Sequence, residues 1–190
     1  NARCNARGDT GNNGDGNDAM NRGVLFYLMI PLLLLLAVVQ STAASHWQLG
    51  GVKPDLVLLT VIVGTLLYGG RSGILWAFVG GVAVDLFSSG PLGTSSLAMM
   101  AAVLVVSIGH RPLSRYNPLV PLAAAVLGTL VYSAAYLGLL ALLNSMNWFD
   151  RDLPFLEAMR FIVLPALLYN AALMFLLLPL LNRMPESQDL

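Results

Sequence analysis

The sequence has 190 residues, of which 57% are hydrophobic and 11% are charged, and its ten basic side chains balance ten acidic ones. Soluble domains carry about 25% charged residues, so this chain has too few charges to cover a water-soluble globule. The net charge is zero, so no overall basic field suggests nucleic-acid binding. The single cysteine, Cys4, excludes an intrachain disulfide or a CxxC site. The composition predicts an integral membrane protein.

The chain begins with a segment of different composition. Its first 19 residues are rich in Asn and Gly and contain no apolar run, which is typical of disorder. Met20, followed by Arg22 and an apolar run, resembles a translation start, so we expect residues 1–21 to be a disordered tail whose first 19 residues precede the native start. The predicted organisation continues with a transmembrane domain at 22–183 and a C-terminal tail at 184–190.

Six apolar stretches follow, each close to the 20 residues that a helix needs to cross a bilayer. None alternates with the period of two that membrane β-strands show, so the predicted fold class is an all-α membrane protein. The predicted helices cover 23–45, 52–69, 72–88, 93–109, 119–143 and 159–181. The first could instead be a cleaved signal peptide, but five further spans and an even count favour an uncleaved helix.

The distribution of Lys and Arg predicts the orientation of these helices. If the N-terminus is cytoplasmic, the outer segments hold only Lys53, Arg151 and Arg160, and the other seven basic residues lie inside. Both termini are therefore expected in the cytoplasm. The connections that carry Asp55 and Asp85 are then expected on the outer side of the membrane.

Asp85 follows an apolar run in GGVAVDLFSSGPLG. The dipole at the C-terminal end of its own helix repels an anion. Asp85 must therefore be held by a cation, with Arg160 as a candidate, or by backbone N–H groups of the next helix, where Thr94 or Ser95 would be the N-cap. It is either a structural clamp on the turn or part of a partner-binding surface.

Asp55 allows the same two interpretations, because Pro54 followed by an acid is also an ordinary helix start. Arg160 is alternatively an interfacial residue that extends towards the lipid headgroups. Gln40 and Asn170, which interrupt the first and last apolar stretches, are expected to form hydrogen bonds between helices rather than to bind a ligand.

Small residues recur at every fourth position of the third stretch. Gly73, Ala77 and Gly81 lie on one side of the helix, and Asp85 is next in the series. Small side chains at this spacing let another backbone approach closely in lipid. The neighbour is expected to be another helix of this chain or a helix of a partner protein.

These motifs resemble the MreD family of rod shape-determining membrane proteins. The resemblance rests on PDL at 54–56 and on G-x₃-D-L-x-S-x-G-P-L-G at 81–93, and the hydrophobic profile extends it from about 23 to 182. The matching residues are Pro54, Asp55, Leu56, Gly81, Asp85, Leu86, Ser88, Gly90, Pro91, Leu92 and Gly93.

The resemblance implies a six-helix bundle similar to the substrate-binding S components of energy-coupling-factor transporters. It also implies a non-enzymatic scaffold in the bacterial inner membrane that organises peptidoglycan synthesis and uses no cofactor. Its direct partner would be MreC and its indirect partners RodA, penicillin-binding protein 2 and MreB. The turn from Asp85 to Gly93 would help to form the surface that meets MreC.

The sequence allows two alternative functions. A true S component would bind a vitamin or another small solute in a polar pocket, for which Asp55, Asp85 and Arg160 are the charged candidates. A lipid-processing enzyme would need a nucleophile and a base. The sequence contains no HExxH, GxSxG or P-loop motif, so catalysis is disfavoured.

Overall fold

The computed structural model describes residues 27–42, 55–88, 90–110, 119–145 and 162–181. Within these ranges the fold is all-helical, and its six helices correspond to the six predicted stretches. They are α1 (Tyr27–Thr42), α2 (Leu56–Tyr68), α3 (Gly70–Phe87), α4 (Thr94–His110), α5 (Leu119–Ser145) and α6 (Leu164–Leu181). The predicted tails at 1–21 and 184–190 lie outside the described residues.

The second helix is shorter than the sequence predicts. α2 has 13 residues, or about 20 Å at 1.5 Å per residue, whereas the apolar stretch covers 52–69. Asp55 caps its first turn, and its last turn ends at Gly69, which has φ +87°. This backbone conformation favours glycine, and α3 begins at the next residue.

α2 is the central helix of the bundle. It packs against α3, α4, α5 and α6, and eight of its thirteen residues are buried. α4 makes its most extensive contacts with α5 and α3, and α1 adds Leu33 and Ala37 to the core. The apolar sequence of α2 therefore reflects contact with other helices on several sides.

The outside of the bundle is apolar, whereas several polar side chains are inside. Large apolar side chains such as Ile108 and Phe175 are exposed, but Asp85, Thr129 and Asn170 are buried. This distribution suits a lipid environment, where polar groups must find partners within the protein. By length and composition, α3 and α5 could each cross a membrane, and the other helices are apolar but shorter over their described residues.

The small residues of α3 contact other helices of this chain. A Cβ built on Gly73 would overlap the side chain of Thr65 on α2, and one built on Gly81 would overlap the backbone of Ser96 on α4. Ala77, between them, is fully buried. The sequence left open whether these small residues face a helix of this chain or a helix of a partner protein. In the structure they face helices of this chain.

Candidate functional site

Four helix ends meet at one end of the bundle, which we call the capped end: the end of α1, the start of α2, the end of α3 and the start of α4. Gln40 Nε2 on α1 donates to Asp55 Oδ1 at 3.3 Å. Ser41 Oγ donates to the carbonyl of Phe87 at 3.3 Å. The structure thus brings both predicted carboxylates to the same end of the molecule.

Asp85 holds the start of the following helix. Its side chain is only 3% exposed, its Oδ2 accepts a hydrogen bond from the N–H of Gly93 at 2.7 Å, and its Oδ1 accepts one from the N–H of Ser95 at 3.2 Å. The N-terminus of a helix attracts an anion. An acid that is unfavourable at the end of α3 is therefore favourable at the start of α4.

The sequence predicted backbone N–H groups as one way to hold Asp85, and this prediction is confirmed. The prediction that Thr94 or Ser95 provides the N-cap is wrong. The first helical hydrogen bond of α4 runs from the N–H of Leu97 to the carbonyl of Gly93, which makes Gly93 the cap residue. Because glycine has no side chain, the carboxylate of Asp85 on α3 supplies the capping acceptor.

The turn between α3 and α4 is held by the backbone conformation of Gly93 and by a hydrogen bond within the turn. Gly93 has φ +92°, a conformation that favours glycine, and the hydroxyl of Thr94 donates to the carbonyl of Pro91 at 2.9 Å. A Cβ on Gly90 would lie 3.2 Å from the hydroxyl oxygen of Tyr136, so the turn rests closely on α5. Leu92, at its outer side, is 74% exposed.

Asp55 caps its own helix. Its Oδ1 accepts a hydrogen bond from the N–H of Leu58 at 3.0 Å as well as the one from Gln40. The side-chain oxygen of Gln40 accepts in turn from the N–H of Val57 at 3.3 Å. The first turn of α2 therefore has two side-chain acceptors, one of which comes from α1.

Asn170 on α6 connects this cap to α5. Its Oδ1 accepts a hydrogen bond from the N–H of Asp55 at 3.0 Å, and its Nδ2 donates to Thr129 Oγ1 at 3.2 Å. Gln40 and Asn170 thus form the interhelical hydrogen bonds that the sequence predicted. Sequence reasoning missed Thr129, for which the available signal was a hydroxyl within an apolar helix.

Two tyrosines of α5 complete the site, and sequence reasoning missed both. The hydroxyl of Tyr132 lies close to the side chain of Ser95 and within electrostatic range of Asp55 and Asp85. It stacks on Tyr136 with 6.0 Å between ring centroids. Their spacing of four residues in VYSAAY was the available signal, because such residues share a helix face.

No cation balances the two acids within the described part of the chain. Arg71 is the single Lys or Arg in the described ranges, and it lies 14 residues before Asp85 on α3, about 21 Å along the helix axis. The predicted counterion Arg160 and the motif residue Pro54 lie outside the described residues, as do Lys53 and Arg151. Backbone N–H groups are thus the observed partners of Asp85.

Comparison with protein families gives a match over most of the chain. The family model described as rod shape-determining protein MreD matches residues 21–184, which is nearly the whole chain. Comparisons with curated proteins and with solved structures give no match.

Proposed function

The chain belongs to the MreD family of rod shape-determining membrane proteins, and from this premise we propose that it is a non-enzymatic scaffold that binds MreC. Through MreC it acts on RodA, penicillin-binding protein 2 and the MreB filament, and so organises peptidoglycan synthesis during elongation. The family assigns the chain a role in cell shape. The proposal adds the direct partner MreC, the indirect partners, and the surface that contacts MreC.

The proposed arrangement is a multi-pass protein of the bacterial inner membrane. Residues 22–183 form an S-component-like bundle of six membrane-crossing helices, with both termini in the cytoplasm and the capped end outside. Two observations support this arrangement: Asp55 and Asp85 lie at the same end of the described bundle, and the basic residues are more frequent in the connections assigned to the inside.

The observation that carries the proposal is the construction of the 90–93 turn. Asp85 is buried and holds the turn through backbone N–H groups, while Leu92 projects outwards and the neighbouring Leu86 and Phe87 on α3 are also exposed. A buried anchor beneath exposed apolar side chains provides a preorganised surface, which lowers the ordering cost of binding. Asp85 therefore positions the contact surface and does not itself contact MreC.

Co-purification of MreC from detergent extracts tests this surface. We expect Leu92→Ser to reduce the recovered MreC several-fold, because it removes an exposed apolar contact without altering the core. Ile108→Ser is the matched control: Ile108 has the same 74% exposure, but it lies near the opposite end of α4. Undiminished MreC recovery with Leu92→Ser, at equal expression and membrane insertion, would contradict the proposed surface.

The hydrogen bonds of Asp55 and Asp85 also help to distinguish a scaffold from a protein that binds a small solute. Asp85 is engaged by two backbone N–H groups, and Asp55 by Leu58 and Gln40. Charged groups that are committed to helix caps are poorly available to a solute. We expect native mass spectrometry of the purified chain to detect no small ligand, and a retained vitamin-sized molecule would favour the S-component function instead.

A further inference from the structure

A series of polar contacts extends from each of the two helix caps to α5. On one side, Asp85 accepts from the N–H of Ser95, whose side chain lies close to the hydroxyl of Tyr132. On the other side, the N–H of Asp55 donates to Asn170, which donates to Thr129. Thr129 and Tyr132 are three residues apart and therefore neighbours on one helix face.

This part of α5 is firmly packed. Thr129 is buried, and its hydroxyl donates to the carbonyl of Ala125 at 2.7 Å. A Cβ on Gly128 would lie 2.5 Å from the side chain of Ile62 on α2, so the two helices are in close contact. Tyr132 stacks on Tyr136, whose hydroxyl lies next to Gly90. The 90–93 turn therefore packs against α5 through Tyr136, which contacts Tyr132 in turn.

We infer that Thr129 and Tyr132 are positioning residues that couple the Asp85 cap to the Asp55 cap, so that a change at the 90–93 turn alters the hydrogen bonding at the start of α2. Through Gln40 and Asn170 the change also reaches α1 and α6. Its biological consequence rests on the proposed function: a partner that engages the turn alters the arrangement of helices on the far side of α5.

A double-mutant cycle on the purified full chain tests the coupling without any partner. Asp85→Asn and Asn170→Ala disturb the two caps separately. Residues in one hydrogen-bond network deviate from additivity, and we expect the double variant to depart from the sum of the two Tm shifts by about 2–4 °C. The departure should vanish in the Tyr132→Phe background, and it should vanish likewise with Ser95→Ala, which removes the other side of the same polar contact.

The matched control cycle combines Asp85→Asn with Ser107→Ala. Ser107 lies 12 residues after Ser95 on α4, about 18 Å along the helix axis. Its buried hydroxyl has no hydrogen-bond partner among the described residues, so its removal should add simply to the Asp85 effect. Additive shifts for Asp85→Asn with Asn170→Ala, or an unchanged departure in both the Tyr132→Phe and the Ser95→Ala backgrounds, would overturn the inference.

Hydrogen–deuterium exchange adds a local measurement that a general loss of stability would not reproduce. We expect Asp85→Asn to accelerate exchange several-fold at the amides of Val57 and Leu58, relative to the centre of α2, and Tyr132→Phe to abolish this selective effect. Equal acceleration along all of α2 would contradict the coupling. Because neither measurement uses MreC, failure here is distinguishable from failure of the Leu92→Ser experiment.

Discussion

The backbone N–H of Asp55 donates a 3.0 Å hydrogen bond to the side chain of Asn170, 115 residues later in the chain. The start of the central helix is thereby tied to the last helix. Around this contact, Gln40 and Thr129 extend the hydrogen bonding to α1 and α5. Polar side chains thus connect four helices whose other contacts are largely apolar.

Replacing Asn170 should measure the strength of this connection. Hydrogen bonds between helices in membranes contribute about 0.6 kcal/mol on average, so Asn170→Ala, which removes two, is expected to cost about 1 kcal/mol and to lower Tm by about 2–4 °C. Thermal unfolding in detergent measures the change. Ser145→Ala is the control, because the hydroxyl of Ser145 donates to the carbonyl of Leu142 in its own helix. An unchanged Tm for Asn170→Ala would contradict the role given to this side chain.

Removing the Asp85 carboxylate should destabilise the α3–α4 connection. Asp85→Ala leaves two backbone N–H groups without their acceptor, and loss of a helix cap together with a buried partner is expected to cost about 2 kcal/mol or more. Asp85→Asn retains one acceptor oxygen, so its loss of stability should be intermediate. Chemical or thermal denaturation orders the three proteins, and equal stability of the wild type and Asp85→Ala would exclude the cap described here.

Gly81 and Gly138 should respond oppositely to a methyl group. A Cβ on Gly81 would lie 2.6 Å from the backbone nitrogen of Ser96, whereas one on Gly138 would meet nothing within 4 Å. Gly81→Ala should therefore push α3 and α4 apart and lower Tm. Gly138→Ala should be neutral or should raise stability by up to about 1 kcal/mol, because alanine has the higher helix propensity. The α3–α4 packing described here does not hold if Gly81→Ala is tolerated as well as Gly138→Ala.

Cysteine labelling should establish the orientation of the capped end. In a Cys4→Ser background, which removes the chain's one cysteine, Leu92→Cys is expected to react with a membrane-impermeant maleimide in intact spheroplasts. Ile108→Cys, near the other end of α4, should be protected there and react in inverted vesicles. The reverse pattern would place the capped end in the cytoplasm and would overturn the proposed topology.

The sequence by itself determined the fold class and most of the helices. Low charge and six apolar stretches suffice to predict an all-helical membrane protein, because a helix satisfies its own backbone hydrogen bonds in lipid. The G-x₃-D-L-x-S-x-G-P-L-G motif also identified Asp85 as unusual, and the family match confirms the resemblance. Local pattern was enough for each of these conclusions.

Only the tertiary structure decided what the polar residues do. Position along the chain shows that Asp85 ends a helix, but the group that it caps belongs to the next helix and is known only once the two are packed. Likewise, no local pattern pairs Asp55 with Asn170 or Ser95 with Tyr132, because these partners come from distant helices. Apolar periodicity determines that helices form in lipid, whereas the choice of hydrogen-bond partners depends on which helices become neighbours.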